Sequence, residues 1–187
     1  MVGTIILYVV LGLVLLLVIW FIATYNMFIR LKNGVEESFS TMDVYLKKRF
    51  DLIPNYVETV KGYAKHESET LTKVIEARNM TGKASTTEEK MKYEGQVSEM
   101  VRNLMVVVEQ YPDLKANTNF LALQEQLNSL EGEIANARKY YNALVKEFNI
   151  KVETFPSNLI AKLLKFQKKA LFVVDDATER KNVKVEF

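Results

Sequence analysis

The first 29 residues of the chain carry no charged side chain, and this apolar start constrains where the rest of the chain works. At ~1.5 Å rise per residue, a helix from Val2 to Thr24 is roughly 34 Å long, enough to cross the hydrocarbon core of a bilayer. A cleaved secretory signal has a basic start, a shorter apolar stretch and a small-residue cleavage site, which this run lacks. We therefore predict an uncleaved transmembrane anchor over residues 1–26.

Aromatic and basic side chains mark the expected membrane interfaces. Tryptophan and tyrosine are enriched at the headgroup level, and lysine and arginine are enriched in the loops that stay in the cytoplasm. No basic side chain precedes the span, so the positive-inside rule predicts a single-pass protein with its N-terminus outside and the bulk of the chain in the cytoplasm. The predicted interface anchors are Tyr8, Trp20, Tyr25, Arg30 and Lys32.

The region that follows the anchor has apolar residues at helical spacing. Between Phe120 and Phe148 they step by three and four residues over about four heptads, which is the spacing of a coiled-coil seam. A second apolar line continues from Phe28 to Arg78 and passes through Pro54. Because the line resumes in phase after the proline, we predict one long helix that is kinked at Pro54 and ends near residue 79.

The remaining segments complete a helical domain. Residues 80–87 are a predicted loop, and Thr86 with Glu89 three residues later fits a capping box that starts the next helix. Ser157 is expected to cap a short helix, and residues 157–187 form this helix and an extended tail. We predict an all-α fold, in which the transmembrane helix continues into a long antiparallel bundle of three long helices over residues 27–187.

The predicted helix lengths leave residues 27–42 uncovered, and we call this segment the stalk. The first helix would extend about 80 Å beyond the membrane, whereas the third helix covers only about 54 Å. The stalk nevertheless carries an apolar stripe, whose exposure to water costs free energy. We therefore predict that the stripe contacts a second copy or a partner helix; the alternative is that the C-terminal tail covers it. Its members are Phe28, Leu31, Val35, Phe39 and Met42.

Several charged and amide side chains fall on the inner faces of the predicted helices. Counting levels from the distal end of the bundle brings Glu131 close to Arg49 and Asp51, which suggests a buried ion pair. Buried polar groups of this kind fix register more than they add stability, and a ligand site is the alternative. The predicted interhelical polar network consists of Arg49, Asp51, Arg78, Glu131, Arg138, Asn142 and Asn149.

Known catalytic and cofactor patterns are not found in the sequence. His66 is the only histidine, so the HESE segment lacks the second histidine of a helical zinc site, and the chain has no cysteine. There is no phosphate-binding glycine loop and no basic stripe with aromatics for nucleic acid. The lysines between Lys162 and Lys169 form an amphipathic face that suits anionic lipid, but the predicted lengths place it far from the membrane. We therefore expect no catalytic residue, metal or cofactor.

Blocks of sequence along nearly the whole chain resemble the LemA family of bacterial membrane proteins. They are TYNMFIRLKNGVEESFSTMDVYLKKRFDLIPNYVETVKGYAKHE from Thr24, EAR from Glu76, YPDLKAN from Tyr111, LQEQL from Leu123, LEGEIANARKYYN from Leu130 and FPSNLIA from Phe155. The resemblance implies an N-terminal anchor, a cytoplasmic long-helix bundle and a bacterial source, which makes the bacterial plasma (inner) membrane the expected location. It does not imply a reaction. Lys165 and Asn182 stand where the family tends to have glycine and proline, which affects the path of the tail.

These observations predict a membrane-anchored helical scaffold or adaptor without enzymatic activity. It would act by self-association, as a homo-oligomer, or by docking an unidentified membrane or cytoplasmic protein. The alternative is a membrane-linked regulatory or signalling module that transmits a change along the helix kinked at Pro54.

Overall fold

The computed structural model describes residues 1–64 and 66–173, and the elements in this part of the chain are helices. They are α1 (Val2–Lys61), α2 (Ser68–Thr81), α3 (Thr87–Val108), α4 (Pro112–Lys115), α5 (Thr118–Glu153) and α6 (Ser157–Leu163). The all-α prediction is confirmed, and the described residues include no strand. The predicted arrangement as one bundle of three long helices stays a prediction.

The chain forms two compact units, which we describe separately. Unit 1 consists of Met1–Ser40 and Lys139–Leu171, and unit 2 consists of Thr41–Arg138 and the described residues from Phe172 onward. Helices α1 and α5 each contribute residues to both units.

The start of α1 is apolar and exposed along its whole circumference. Among the described residues, α1 is the one helix that is long and apolar enough to cross a membrane, and its most apolar window is not buried by any part of the chain. Every residue before Trp20 is exposed, and Thr24 is the first buried residue along the helix. Packing of α1 against its own chain therefore begins where the apolar run ends.

The prediction of one helix up to residue 79 is wrong. α1 passes through Pro54 but ends at Lys61, directly before Gly62, and α2 starts at Ser68. Glycine weakens a helix because it loses much backbone freedom on ordering. The apolar period resumes after the break because α2 buries Leu71 and Val74 in the same core that α1 reaches, not because the helix is continuous.

The helix start at Thr87 follows the predicted capping box, and the start at Thr118 is capped by a similar short-range bond. The N–H of Glu89 donates to Thr86 Oγ1 over 3.1 Å, and this bond satisfies one of the free amides at the start of α3. The N–H of Phe120 donates to Asn117 Oδ1 over 2.9 Å at the start of α5.

The helix α6 is capped differently from the prediction. Ser157 lies inside α6 and its hydroxyl donates to the carbonyls of Lys151 and Thr154, over 2.7 and 2.9 Å, so it is not the N-cap. At the other end Lys165 has a φ of 59°, and the N–H of Phe166 donates to the Ala161 carbonyl over 2.9 Å. This is a Schellman motif, whose left-handed position is usually glycine. The rest of the predicted extended tail, including Asn182, lies outside the described residues.

In unit 1 the end of α5 and the chain after α6 cover the stalk stripe, so the prediction that residues 27–42 are left uncovered is wrong. Cover by the C-terminal segment was the stated alternative. The ring of Phe28 stacks on Phe166 with centroids 4.8 Å apart and meets Phe148 edge-on at 6.0 Å. Phe39 meets Tyr141 at 5.8 Å in the same unit. Val35 is buried and Leu31 is half-buried, whereas Met42 is buried in unit 2. The length argument failed because α1 ends at Lys61 and not near residue 79, and α5 therefore reaches Phe39 and Phe28.

Unit 2 has a continuous apolar core. Side chains of α1, α2, α3, α4 and α5 meet there, and burial of such side chains contributes about 1.5–3 kcal/mol each relative to exposure. Its largest members include Ile53, Tyr56, Leu104, Leu114 and Phe120.

Candidate functional site: a buried charge cluster

Arg49 is the centre of a charged cluster inside unit 2. Its side chain is 0% exposed, although it stands between apolar core positions of α1. Nη1 donates to Ser98 Oγ over 2.6 Å and to Glu131 Oε1 over 2.8 Å. Nη2 donates to the Glu94 carbonyl over 3.1 Å and also to the Glu94 carboxylate. The guanidinium therefore joins α1 to both α3 and α5.

Helical spacing brings the partners of Arg49 onto two faces. Glu94 and Ser98 are four residues apart on α3, and Glu131 and Arg138 are seven residues apart on α5, so each pair shares one side of its helix. Arg138 Nη2 donates to Ser98 Oγ over 3.2 Å, so the serine hydroxyl links the two arginines. The sequence brought Glu131 towards Arg49 correctly.

The cluster holds two arginines and two glutamates in a region with little water. Burial raises the pKa of the Glu94 carboxyl above its usual value, and the attraction of Arg49 offsets only part of this effect. Burial lowers the pKa of Arg138 to about 10, with a further contribution from the neighbouring Arg49 charge. Both shifts disfavour the charged form, as expected when desolvation exceeds pairing.

Arg138 also makes a contact outside the ion pairs. Its guanidinium lies over the Phe172 ring, 4.4 Å from the centroid. A cation over an aromatic face is attracted by the ring quadrupole. The cluster therefore also orders the first residues of the C-terminal segment in unit 2.

The contacts of the cluster are hydrogen bonds and ion pairs among its own side chains. Arginine stays protonated at physiological pH and the buried carboxylates are engaged by it, so the cluster does not present a nucleophile or a base to solvent. Breaking one partner of such a buried pair typically costs about 3–5 kcal/mol, which makes the network a strong determinant of helix register. Among the described residues no group of three or more histidine or acidic side chains is arranged for a metal, and His66 is exposed.

Glu94 and Ser98 are the members of the cluster that sequence reasoning missed. The apolar residues of α3 include Tyr93, Val97 and Leu104. Glu94 stands three residues after the buried Met91 and Ser98 three residues before the buried Val101, so the polar pair shares a helix face with buried apolar residues. The sequence signal that could have identified them is a polar pair at helical spacing with buried apolar residues.

Two residues of the predicted network lie elsewhere in unit 2. Asp51 is largely exposed and pairs with Lys47 on the same helix, over 3.1 Å. Arg78 Nε donates to the Phe50 carbonyl over 2.8 Å, and its guanidinium lies 3.7 Å from the centroid of the Phe50 ring.

The contact of Arg78 has a specific cause in the sequence. Proline has no N–H, so Pro54 leaves the carbonyl four residues earlier, that of Phe50, without its helical donor. Arg78 Nε supplies the missing donor at that carbonyl. Arg78 thus compensates α1 for its internal proline.

The predicted asparagines lie in unit 1. Asn149 Nδ2 donates to the Lys169 carbonyl and its Oδ1 accepts from the Lys169 N–H, both over 2.9 Å. Asn142 is half-buried on the same helix. Asn149 therefore fixes the returning segment rather than the alignment of two helices.

The predicted membrane-interface residues lie at both ends of the apolar run of α1. Tyr8, Tyr25 and Arg30 are exposed, whereas Trp20 is half-buried. Lys32 Nζ lies 4.0 Å from Glu36 Oε1, one helical turn further along α1.

Unit 2 also has an open groove between α1 and α5. Its volume is about 740 Å³. The apolar side chains of Leu52 and Leu130 contribute to its wall, and polar side chains such as Lys48 and Glu125 also line it. The groove is separate from the charge cluster, because the two share no lining residue.

Comparison with known proteins gives consistent relatives. The LemA family model matches residues 38–187 of the chain. Protein LemA of Metamycoplasma hominis is 27% identical over 162 residues, which cover 86% of this chain and 73% of that relative. Magnetosome protein MamQ 2 of Paramagnetospirillum magneticum is 26% identical over an alignment 185 residues long. The match covers 83% of this chain and 68% of that relative.

Proposed function

The chain belongs to the LemA family, and we propose that it is a single-pass membrane-anchored adaptor, which docks other proteins and catalyses no reaction. The exposed apolar run at the start of α1 and the family relatives are compatible with membrane association. The proposal concerns what the helical part does at that membrane.

One observation carries this proposal: the apolar run and the first core helix are a single element. α1 continues from Val2 to Lys61 without a linker, and its later turns supply Phe28 to unit 1 and Ile53 to unit 2. A flexible linker would let a domain sample many positions, whereas a continuous helix holds what it carries at a defined distance from the bilayer. A fixed distance suits a protein that positions others.

The orientation follows from the distribution of basic residues. Arg30 and Lys32 come just after the apolar run, and we propose that they hold the helical part on the cytoplasmic side of the inner membrane.

The docking surface we propose is the groove between α1 and α5. An apolar wall with polar side chains around it is the surface onto which an amphipathic helix lays its apolar face. Side chains of both signs line it, Lys48 and Glu125 among them, so it suits a helix with mixed charges. The stalk stripe no longer supports self-association, because Phe28 and Val35 are covered by their own chain. The occupant we propose is therefore an amphipathic helix of another protein.

In-cell photo-crosslinking tests the docking proposal. A photoreactive amino acid at Ser129, which lines the groove, should give an adduct of discrete mass that contains a second protein. The matched control is Asn128, an exposed neighbour on the same helix that does not line the groove. Replacing Ala122 with tryptophan should fill the groove and abolish the Ser129 adduct, while Asn128→Trp should leave it unchanged.

The other outcomes contradict the proposal. Equal adducts at both positions, or none at either, would mean that the groove does not dock a partner. An adduct of twice the chain mass would identify a second copy as the occupant and replace the adaptor by a self-assembling scaffold.

A further inference from the structure

Helix α6 and its flanks expose apolar side chains that the unit 1 core does not need. Phe155 is 78% exposed, Leu159 is 54% exposed and Leu163 is 68% exposed. On the opposite face, Ile160 and Ala161 are buried. α6 is thus apolar on both faces, although the described residues cover only one of them.

The exposed face lies close to the end of the apolar run of α1. Phe28, which contacts both Phe148 and Phe166, follows Thr24 by four residues, or about 6 Å along the helix. α6 lies between these two contact residues in the chain, because α5 ends at Glu153 and Phe166 follows the cap of α6. The segment from Phe155 to Leu163 therefore turns at the level where α1 passes from apolar to charged sequence.

Basic side chains accompany this apolar face. Lys162 and Lys165 are exposed at the end of α6, and Lys168 pairs with Glu153 over 2.7 Å. An apolar face with lysines at its edge is typical of an element in the interface plane of a bilayer, where the lysine ammonium groups reach the headgroups.

We propose that α6 and Phe155 form a membrane-surface patch, which enters the headgroup layer of the same bilayer that holds α1 and binds anionic lipid. Phe155, Leu159 and Leu163 reach the boundary of the acyl chains, and Lys162 and Lys165 contact lipid phosphates. This revises the expectation that the lysine-rich face lies far from the membrane. It also explains why large apolar side chains stay uncovered there.

A bilayer is the occupant that the position favours. The patch continues from an apolar run that already needs a bilayer, so both surfaces are covered by one insertion. A protein partner would have to cover the patch beside the headgroups.

Site-directed spin labelling of the full chain tests this inference. The chain has no cysteine, so single cysteines can be labelled without a background. The full chain is reconstituted into vesicles of phosphatidylcholine with phosphatidylglycerol, and the collision of each label with oxygen and with a water-soluble nickel chelate is measured. A label at Leu163 should collide with the nickel chelate several-fold less than a label at Tyr140.

Tyr140 is a matched control from the same unit. It is 62% exposed, so it resembles Leu163 in the free surface of the protein. Its neighbour Tyr141 contacts Phe39, fifteen residues after Thr24 and thus about 22 Å along α1 from the end of the apolar run. A label at Leu15, inside the run, serves as the immersed reference.

The three labels separate the possible failures. If Leu15 is immersed but Leu163 is as accessible to the nickel chelate as Tyr140, the membrane-surface patch is overturned and the anchor stands. If Leu15 itself collides freely with the chelate, the anchor and the proposed function both fail.

A charge variant tests the lipid chemistry. Lys162→Glu with Lys165→Glu should raise the nickel accessibility of the Leu163 label in the mixed vesicles. In vesicles of phosphatidylcholine alone it should have little effect. Equal responses in the two lipids would overturn the binding of anionic headgroups.

Discussion

At the scale of single residues, the arginines on the inner faces have different roles that their sequence positions do not distinguish. Arg49 is bound by two carboxylates, whereas Arg78 supplies a donor to a carbonyl that lacks one. Both satisfy buried polar groups, which would otherwise cost about 1–3 kcal/mol each. The sequence identified them as polar residues in apolar lines, and only their contacts assign the roles.

The role of Arg78 predicts an energetic coupling to Pro54. Arg78→Ala should lower the free energy of unfolding by about 1–3 kcal/mol, because the Phe50 carbonyl loses its donor. In a Pro54→Ala background the helix regains its own N–H, so the same substitution should cost about 1 kcal/mol less. Chemical denaturation in detergent of the native chain, the two single variants and the double variant measures this double-mutant cycle. Strictly additive effects would show that the two residues are independent.

The pair of Arg78 and Pro54 also bears on the alternative function, a signalling module that transmits a change along α1. A hinge at Pro54 requires the helix to bend there. Arg78 of α2 holds the Phe50 carbonyl, four residues before the proline, by a hydrogen bond. We therefore favour a static helix at this position, and the Pro54→Ala chain should retain any docking activity.

Glu94 predicts a dependence of stability on pH. Its pKa is raised in the folded state by burial, so the folded chain binds a proton more readily than the unfolded chain. Its contribution to stability is therefore present below the unfolded pKa and is lost as the pH rises through the folded pKa. As the pH rises from the unfolded-state pKa to the folded-state pKa of Glu94, the native chain should lose free energy of unfolding relative to the Glu94→Gln variant.

Denaturant titrations at several pH values measure this difference. The control is Glu133→Gln, which changes an exposed glutamate of α5 and should shift the pH profile little. A difference between native chain and Glu94→Gln that stays constant with pH would contradict the raised pKa.

At the scale of elements, the helix starts that carry a capping residue can be predicted from the sequence, whereas the break between α1 and α2 cannot. Thr86 and Asn117 start their helices as short-range hydrogen bonding requires, because a cap depends on neighbouring residues only. The break after Lys61 was missed because α2 continues the apolar period of α1, although the two are separate helices. Period alone cannot distinguish one long helix from two that face the same core.

The end of α6 gives a prediction about backbone strain. Lys165 has a left-handed conformation, which costs a side-chain-bearing residue about 1–2 kcal/mol. Lys165→Gly relieves this strain but loses about 0.5–1 kcal/mol through the freedom of glycine in the unfolded chain. The net expectation is a gain of up to about 1 kcal/mol in the free energy of unfolding.

Thermal and denaturant unfolding check this expectation. Lys162→Gly is the matched control, since it introduces glycine within α6 and should destabilise by about 1 kcal/mol. If both glycines destabilise equally, the Schellman geometry at Lys165 is not formed.

At the scale of the whole molecule, the basic residues that follow the apolar run predict the sidedness of the chain. A cysteine at Ser129 should react with a membrane-impermeant maleimide only after spheroplasts are lysed. Ser129 is exposed, so a difference between intact and lysed spheroplasts reports the membrane and not burial. Reaction in intact spheroplasts would place the helical part outside the cell.

The sequence by itself determined the apolar N-terminal run, the helical class and most helix starts. These features depend on composition and on contacts between residues a few positions apart, which a sequence displays directly. Counting levels along the helices also placed Glu131 near Arg49, and the structure joins the two by a hydrogen bond.

The tertiary structure alone decided what covers the stalk and which residues complete the charge cluster. Phe166 reaches Phe28 across 138 positions of the chain, and Glu94 reaches Arg49 across 45. Contacts of that separation depend on where the chain turns. The unpredicted break after Lys61 adds a turn before α5, and the last turns of α5 lie against Phe28, so the lysine-rich segment that follows lies near the end of the apolar run and not at the predicted tip. Local pattern carries no record of such a turn, because either direction satisfies the same helical period.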